Sequence, residues 1–145
     1  MKNIIFLSVL LLTVTTETYS QSKTISKSII SSSAAVKKFY EKSELESLQK
    51  GELIDLYLER IQVIVEKLPY IALTTRRGVT INDIGIPDTI ENSKLLDKQK
   101  QTIKTFLTDT EDFEKNLTPF ADKSDIIDAI LFYETILKEL RMIRE

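Results

Sequence analysis

An all-α fold is predicted by three features of the 145-residue sequence. Apolar residues recur at three- and four-residue steps over most of its length, which places them on helix faces. No run alternates apolar and polar residues between hairpin turns, and VTINDI, the one fragment of strand-like composition, is too short and polar to seed a sheet. The three prolines and two of the three glycines punctuate the ends of the periodic runs. The expected architecture is a small antiparallel bundle of three main helices plus a shorter N-terminal helix, since amphipathic helices bury their stripes most simply against one another.

The chain opens with Lys2 and the apolar run Ile4 to Val14, followed by small residues at Thr18 and Ser20. This is the layout of a secretory signal peptide over residues 1–20, cleaved after Ser20. The run has about 11 residues where a membrane span needs about 20. No later run is long enough to span, so no transmembrane segment is expected after cleavage. Residues 21–33 (QSKTISKSIISSS) read as a flexible, serine-rich leader. Residues 34–145 then form a single domain, large enough to bury a self-sufficient core. That core has no disulfides, because the chain has no cysteine.

Ala34 to Lys42 has helical composition, and Ser43 with Glu46 matches a capping box, so a short N-terminal helical stretch is expected over roughly residues 34 to 50, either running straight through or starting anew at Ser43. Gly51 is a weak point, costing about 1 kcal/mol inside a helix. From Glu52, Ile54, Leu58, Ile61, Val65 and Leu68 share a face, widened by Leu53, Leu56, Tyr57 and Ile64. Pro69 must end or kink this helix.

The corner from Pro69 to Thr89 is accounted for by turning alone. Gly78 permits a turn, Arg76 and Arg77 suit a helix C-terminus, and Thr80 with Asp83 caps a short turn closed by Gly85. Pro87 stops the chain, and Asp88 with Glu91 resembles a second capping box. The longest helix follows, about Thr89 to Leu117, with Leu96, Ile103, Phe106, Phe113 and Leu117 on one face. Pro119 ends it. The last helix begins near Ser124, with Asp122, Asp125 and Asp128 at its positive end. Ile126, Ile130, Tyr133, Leu137 and Leu140 form one stripe, and Ala129, Phe132, Ile136 and Ile143 form another. That breadth marks it as the central helix. Glu134 and Lys138 are spaced to pair, and Arg141 and Arg144 suit the terminal dipole.

The absence of histidine and cysteine removes Ser-His-Asp and Cys-His nucleophile systems, Cys/His zinc sites and haem ligation by those residues. No phosphate-binding glycine loop is present. Asp109, Glu111, Asp112 and Glu114 read as a solvated face, and Asp122, Asp125 and Asp128 as helix-start stabilisers, rather than as metal ligands. No cofactor is expected. The near-balanced charge, net -2, gives no basic face for nucleic acid.

The residues best suited to a partner are Thr75, Arg76, Arg77 and Thr80, whose hydroxyl and guanidinium groups can grip an anion or a carboxylate. The expected function is a non-catalytic binding, scaffold or accessory protein of the bacterial cell envelope, exported to the periplasm or outside. Its expected partner is another envelope or secreted protein. The alternatives are a carrier of a small apolar ligand between the helices and a carboxylate-dependent enzyme.

Overall fold

The computed structural model of the chain describes residues 27–143. The expected signal segment, residues 21–26 of the leader, and Arg144 with Glu145 lie outside the described residues. Within them the chain is mostly helical and has no strand: α1 (Lys42–Ser47), α2 (Lys50–Lys67), α3 (Ile90–Leu117) and α4 (Lys123–Met142). None of these helices is long and apolar enough to cross a membrane. Helix α2 packs against both α3 and α4.

The largest departures from expectation lie before α2. Residues 34–41 are not helical, and α1 starts only at Lys42. Its start is fixed by Glu41 and Glu44 rather than by Ser43 and Glu46, with the Glu41 amide donating to Glu44 Oε2 at 2.9 Å. Leu48 is extended, and a second capping box then opens α2, where the Gln49 amide donates to Glu52 Oε2 at 2.7 Å. The expected short N-terminal helix is thus confined to residues 42–47, and α2 opens just before Glu52. Gly51 falls in the first turn of α2, exposed, rather than inside a continuing helix.

The leader also differs from the expected flexible tether over residues 27–33. Ile29 and Ile30 are buried to 1% exposure, and they join Ala34, Tyr70, Ile81 and Ile103 in one core cluster. Backbone hydrogen bonds tie the segment to the corner, from Ile29 N to Val79 O (2.7 Å) and from Gly78 N to Ile30 O (3.0 Å). Farther along, Val36 and Phe39 pack on a second cluster around Val63, Ile64 and Leu137. Tyr40 packs on a third, built from Leu45, Leu53, Ile54, Ile126, Ile127 and Ile130. The non-helical segment 27–41 thus lines all three clusters. A helix over 34–42 would shorten it to 1.5 Å per residue and could not reach that far.

Pro69 ends α2 at Lys67, and the chain continues through a 3-10 turn, Leu68–Tyr70. The buried face of α2 holds Leu53, Ile54, Ile61, Val63 and Ile64 together with two cations, Arg60 and Lys67, whereas Leu68 is exposed. Arg60 and Glu134 of α4 form a fully buried ion pair (Nη2–Oε1 2.6 Å), so Glu134 reaches across to α2 rather than pairing with Lys138. Helix α3 begins at Ile90 with Thr89 as its cap, its hydroxyl accepting from the Asn92 amide at 3.1 Å; the expected Asp88 instead accepts from the Ser93 hydroxyl. Of its expected face, Ile103 is buried and Leu96 packs at the edge of the core, joined there by Leu107, but Phe106, Phe113 and Leu117 stand exposed. On α4 the first stripe is the inner one, while Phe132 and Ile143 of the second stripe are exposed.

Candidate functional site: a cationic cavity at the corner

The corner is held by its own hydroxyls and by the N-terminal segment. After the turn at Tyr70, the Thr74 side chain is buried and accepts from the Arg76 amide at 3.1 Å. Gly78 and Gly85 both take left-handed backbone, at φ 75° and 79°, where a side chain would be strained. Arg77 Nη1 donates to the Ser32 carbonyl at 2.9 Å, pinning the guanidinium across the N-terminal segment. Thr80 and Asp83 cap the short turn Asn82–Ile84 as expected, with the Thr80 amide and hydroxyl each 2.8 Å from Asp83 Oδ2. Those hydrogen bonds hold the Asp83 carboxyl below its ordinary pKa.

Thr75, Arg76 and Arg77 line one cavity of about 640 Å³, and Thr80 does not. The hydroxyl of Thr80 is committed to Asp83, so it belongs to the scaffold of the corner. The structure adds two cations to the three residues it brings together, Lys67 from the end of α2 and Arg141 from the end of α4. Val36, Phe39, Val63 and Leu137 supply apolar wall. The cation of Arg141 also lies over the Phe39 ring, 6.0 Å from its centroid. Among the described residues, no carboxylate lines this cavity.

Lys67 is the informative group. It is 8% exposed and makes no ion pair among the described residues. Burial, followed by the positive charges of Arg77 and Arg141, lowers its pKa from the ordinary 10.5. Arg60, seven residues earlier on the same face of α2, is fully buried but carries Glu134 and Glu59 as counter-charges. Among the described residues, one buried cation is thus neutralised and the other is not. A buried charge without a partner is costly, and an anion entering the cavity would relieve that cost.

Replacing Lys67 with methionine keeps the stem and removes the charge. The variant is expected to be more stable by about 1 kcal/mol, read from urea unfolding, because no counter-charge among the described residues rewards the ammonium. The lowered pKa also predicts a pH signature. Between the folded-state value and 10.5 the unfolded chain binds more protons, so stability rises with pH in that window. Lys100, lowered mainly by burial, contributes with the same sign, so K67M should flatten the rise without abolishing it.

A second, larger hollow of about 990 Å³ runs between α2 and α3. Tyr70 and Glu66 line it, and their Tyr70 Oη and Glu66 Oε2 atoms are buried without a hydrogen-bond partner among the described residues. Of the acidic residues singled out in the sequence, Glu111 lines this hollow and the others do not. Asp109, Glu111 and Asp112 are exposed on α3, Glu111 pairing with Lys115 at 2.6 Å, while Glu114 accepts from the Thr118 hydroxyl. Asp128 pairs with Lys42 at 3.3 Å. Among the described residues no three acidic groups converge as metal ligands would.

Sequence reasoning reached Thr75, Arg76 and Arg77 through their place on a turn. It missed Lys67, although a lysine seven residues after a buried position of an amphipathic helix signals its own burial. Comparison with known protein families, curated proteins and solved structures finds no match to this chain.

Proposed function

We propose that this chain is an exported, non-catalytic binding protein of the bacterial cell envelope, which seats an acidic group of a partner protein in the cationic cavity at its corner. The observation that carries the reading is the buried Lys67, unpaired among the described residues, in a cavity it shares with Arg76, Arg77 and Arg141. Guanidinium groups hold carboxylates with two parallel hydrogen bonds, and the apolar wall suits the stem of an acidic side chain. The scaffold is read as an up-down-up bundle of α2, α3 and α4. Supporting this, Lys50 at the start of α2 reaches the Pro119 carbonyl just past the end of α3 at 2.6 Å. Arg60 of α2 and Glu134 of α4 then meet at mid-helix.

The test is a titration of the purified chain with a short glutamate-rich peptide, followed by calorimetry at two salt concentrations. Binding that weakens with salt and falls at least about tenfold in R76A/R77A and in K67M is the expected result. Equal affinity in all three proteins would remove the cavity from the function. Export is tested separately: the protein recovered from the native host should begin at Gln21 and lie outside the cytoplasm. An intact N-terminus in the cytosolic fraction would end that part of the reading.

The α2–α3 hollow favours one second reading, a carrier of a small ligand. Its unpartnered Tyr70 hydroxyl and Glu66 oxygen offer polar anchors in a partly apolar space. Native mass spectrometry of the purified protein decides it. An added mass lost on organic extraction supports carriage, and the bare chain mass excludes it.

A further inference from the structure

From the outer face of α3 we infer a two-fold, antiparallel pairing with a second copy of this chain. Leu95, Phe106, Phe113 and Leu117 are each more than half exposed. At about 100° per residue all four fall within an arc of about 40°, a single stripe beside the face that carries Ile103. The stripe is symmetric about Phe106. Leu95 and Leu117 stand eleven residues on either side of it, Gln99 and Phe113 seven, and Thr102 and Thr110 four. A two-fold axis through Phe106 therefore places Leu95 opposite the second copy's Leu117, and Phe106 against its own counterpart. Thr102, exposed where Gln99 and Thr110 are half-buried, already donates its hydroxyl to the Lys98 carbonyl at 3.1 Å, so covering it strands no hydroxyl donor there.

Charge selects the direction. On the flank turned away from Ile103, the N-terminal half carries Lys94 and Lys98, and the C-terminal half carries Asp109 and Asp112. None of the four forms an ion pair among the described residues. Same-flank residues face each other in an antiparallel helix pair. The register centred on Phe106 brings Lys98 within one turn of the second copy's Asp112, twice by symmetry. A parallel pair would set the like halves together. The paired stripe spans about 33 Å, and helix axes 8 to 10 Å apart, roughly, let the phenylalanines interdigitate.

Sedimentation equilibrium on the full chain, and on the chain beginning at Gln21, tests this. A dimer is expected. F106D, at an exposed position that leaves the fold intact by circular dichroism, should weaken it at least about 100-fold. K98E should weaken it about 3- to 10-fold, and K98E/D112K should restore it. Because the chain has no cysteine, introduced thiols report the register. Mixed L95C and L117C proteins should oxidise to a disulfide-linked dimer, whereas L95C alone should not. A monomer at every concentration overturns the proposal, as does a dimer indifferent to F106D. L95C joining itself would mean parallel helices and overturns it too. So would association that requires residues 1–20, which would assign the contact to the apolar leader.

Discussion

Replacing Arg60 with methionine is expected to destabilise the protein by about 3 to 5 kcal/mol, because it leaves Glu134 as a buried charge without its partner. The guanidinium is fully buried and spends its donors on three elements. It reaches Glu134 of α4 (Nη2 2.6 Å, Nε 3.2 Å), the neighbouring Glu59 (2.8 Å), and the Lys38 carbonyl of the N-terminal segment (2.5 Å). Glu134 in turn accepts from the Tyr40 amide at 3.1 Å. The network joins α2, α4 and residues 38–40 at one point, where an apolar core would only press them together. Arg60→Lys should recover little, since an ammonium cannot serve Glu134, Glu59 and the Lys38 carbonyl with one planar fork. The double variant R60M/E134L should recover more than half the loss. The remainder reflects the Tyr40 amide and Lys38 carbonyl left without partners. Urea unfolding of the three variants gives the measurement. A single-variant cost below about 1 kcal/mol, or a double variant no better than R60M, would show that the pair does not hold these elements together.

The pairing shows where the text was readable and where it was not. Both long helices after the corner were legible because their boundaries depend on local chemistry that acts within a turn of itself, as Asp122 and Pro119 do, although the cap of α3 is Thr89 rather than the expected Asp88. The Thr80–Asp83 cap closed by Gly85 was legible for the same reason. Glu134, by contrast, lies four residues before Lys138, and that local pairing is worth only a few tenths of a kcal/mol. Its real partner is 74 positions away. No spacing rule reaches that far. The outer stripe of α3 failed differently. Phe106, Phe113 and Leu117 share a helix face near Ile103, and periodicity reports a face without saying what covers it. The candidate site divides along the same line. Thr75, Arg76 and Arg77 are neighbours in sequence and were found together, while Lys67 and Arg141 reach the cavity from the ends of two helices.

Residues 27–33 make the second large expectation. Serine content there argues for a tether, yet the two isoleucines among the serines are among the least exposed side chains of the structure. Truncating Ile30 to alanine should cost about 2 to 5 kcal/mol, the range for a large core residue whose site cannot collapse. Collapse is costly at this site: Ile30 clusters with Tyr70, Ile81 and Ile103, and its carbonyl is fixed by the Gly78 amide. The double variant I29A/I30A removes adjacent side chains from the same cluster. Its loss should approach the whole stability of an ordinary domain, about 5 to 15 kcal/mol. The corner should loosen with it, since Val79 and Gly78 lose the strand-like partner that orders them, and the Arg77 anchor on Ser32 goes too. Amide hydrogen exchange would register this as lost protection at Ile29 and Gly78 before α4 is affected. If I30A unfolds at the wild-type urea midpoint, the segment is a tether after all, and the cationic cavity would have one wall fewer.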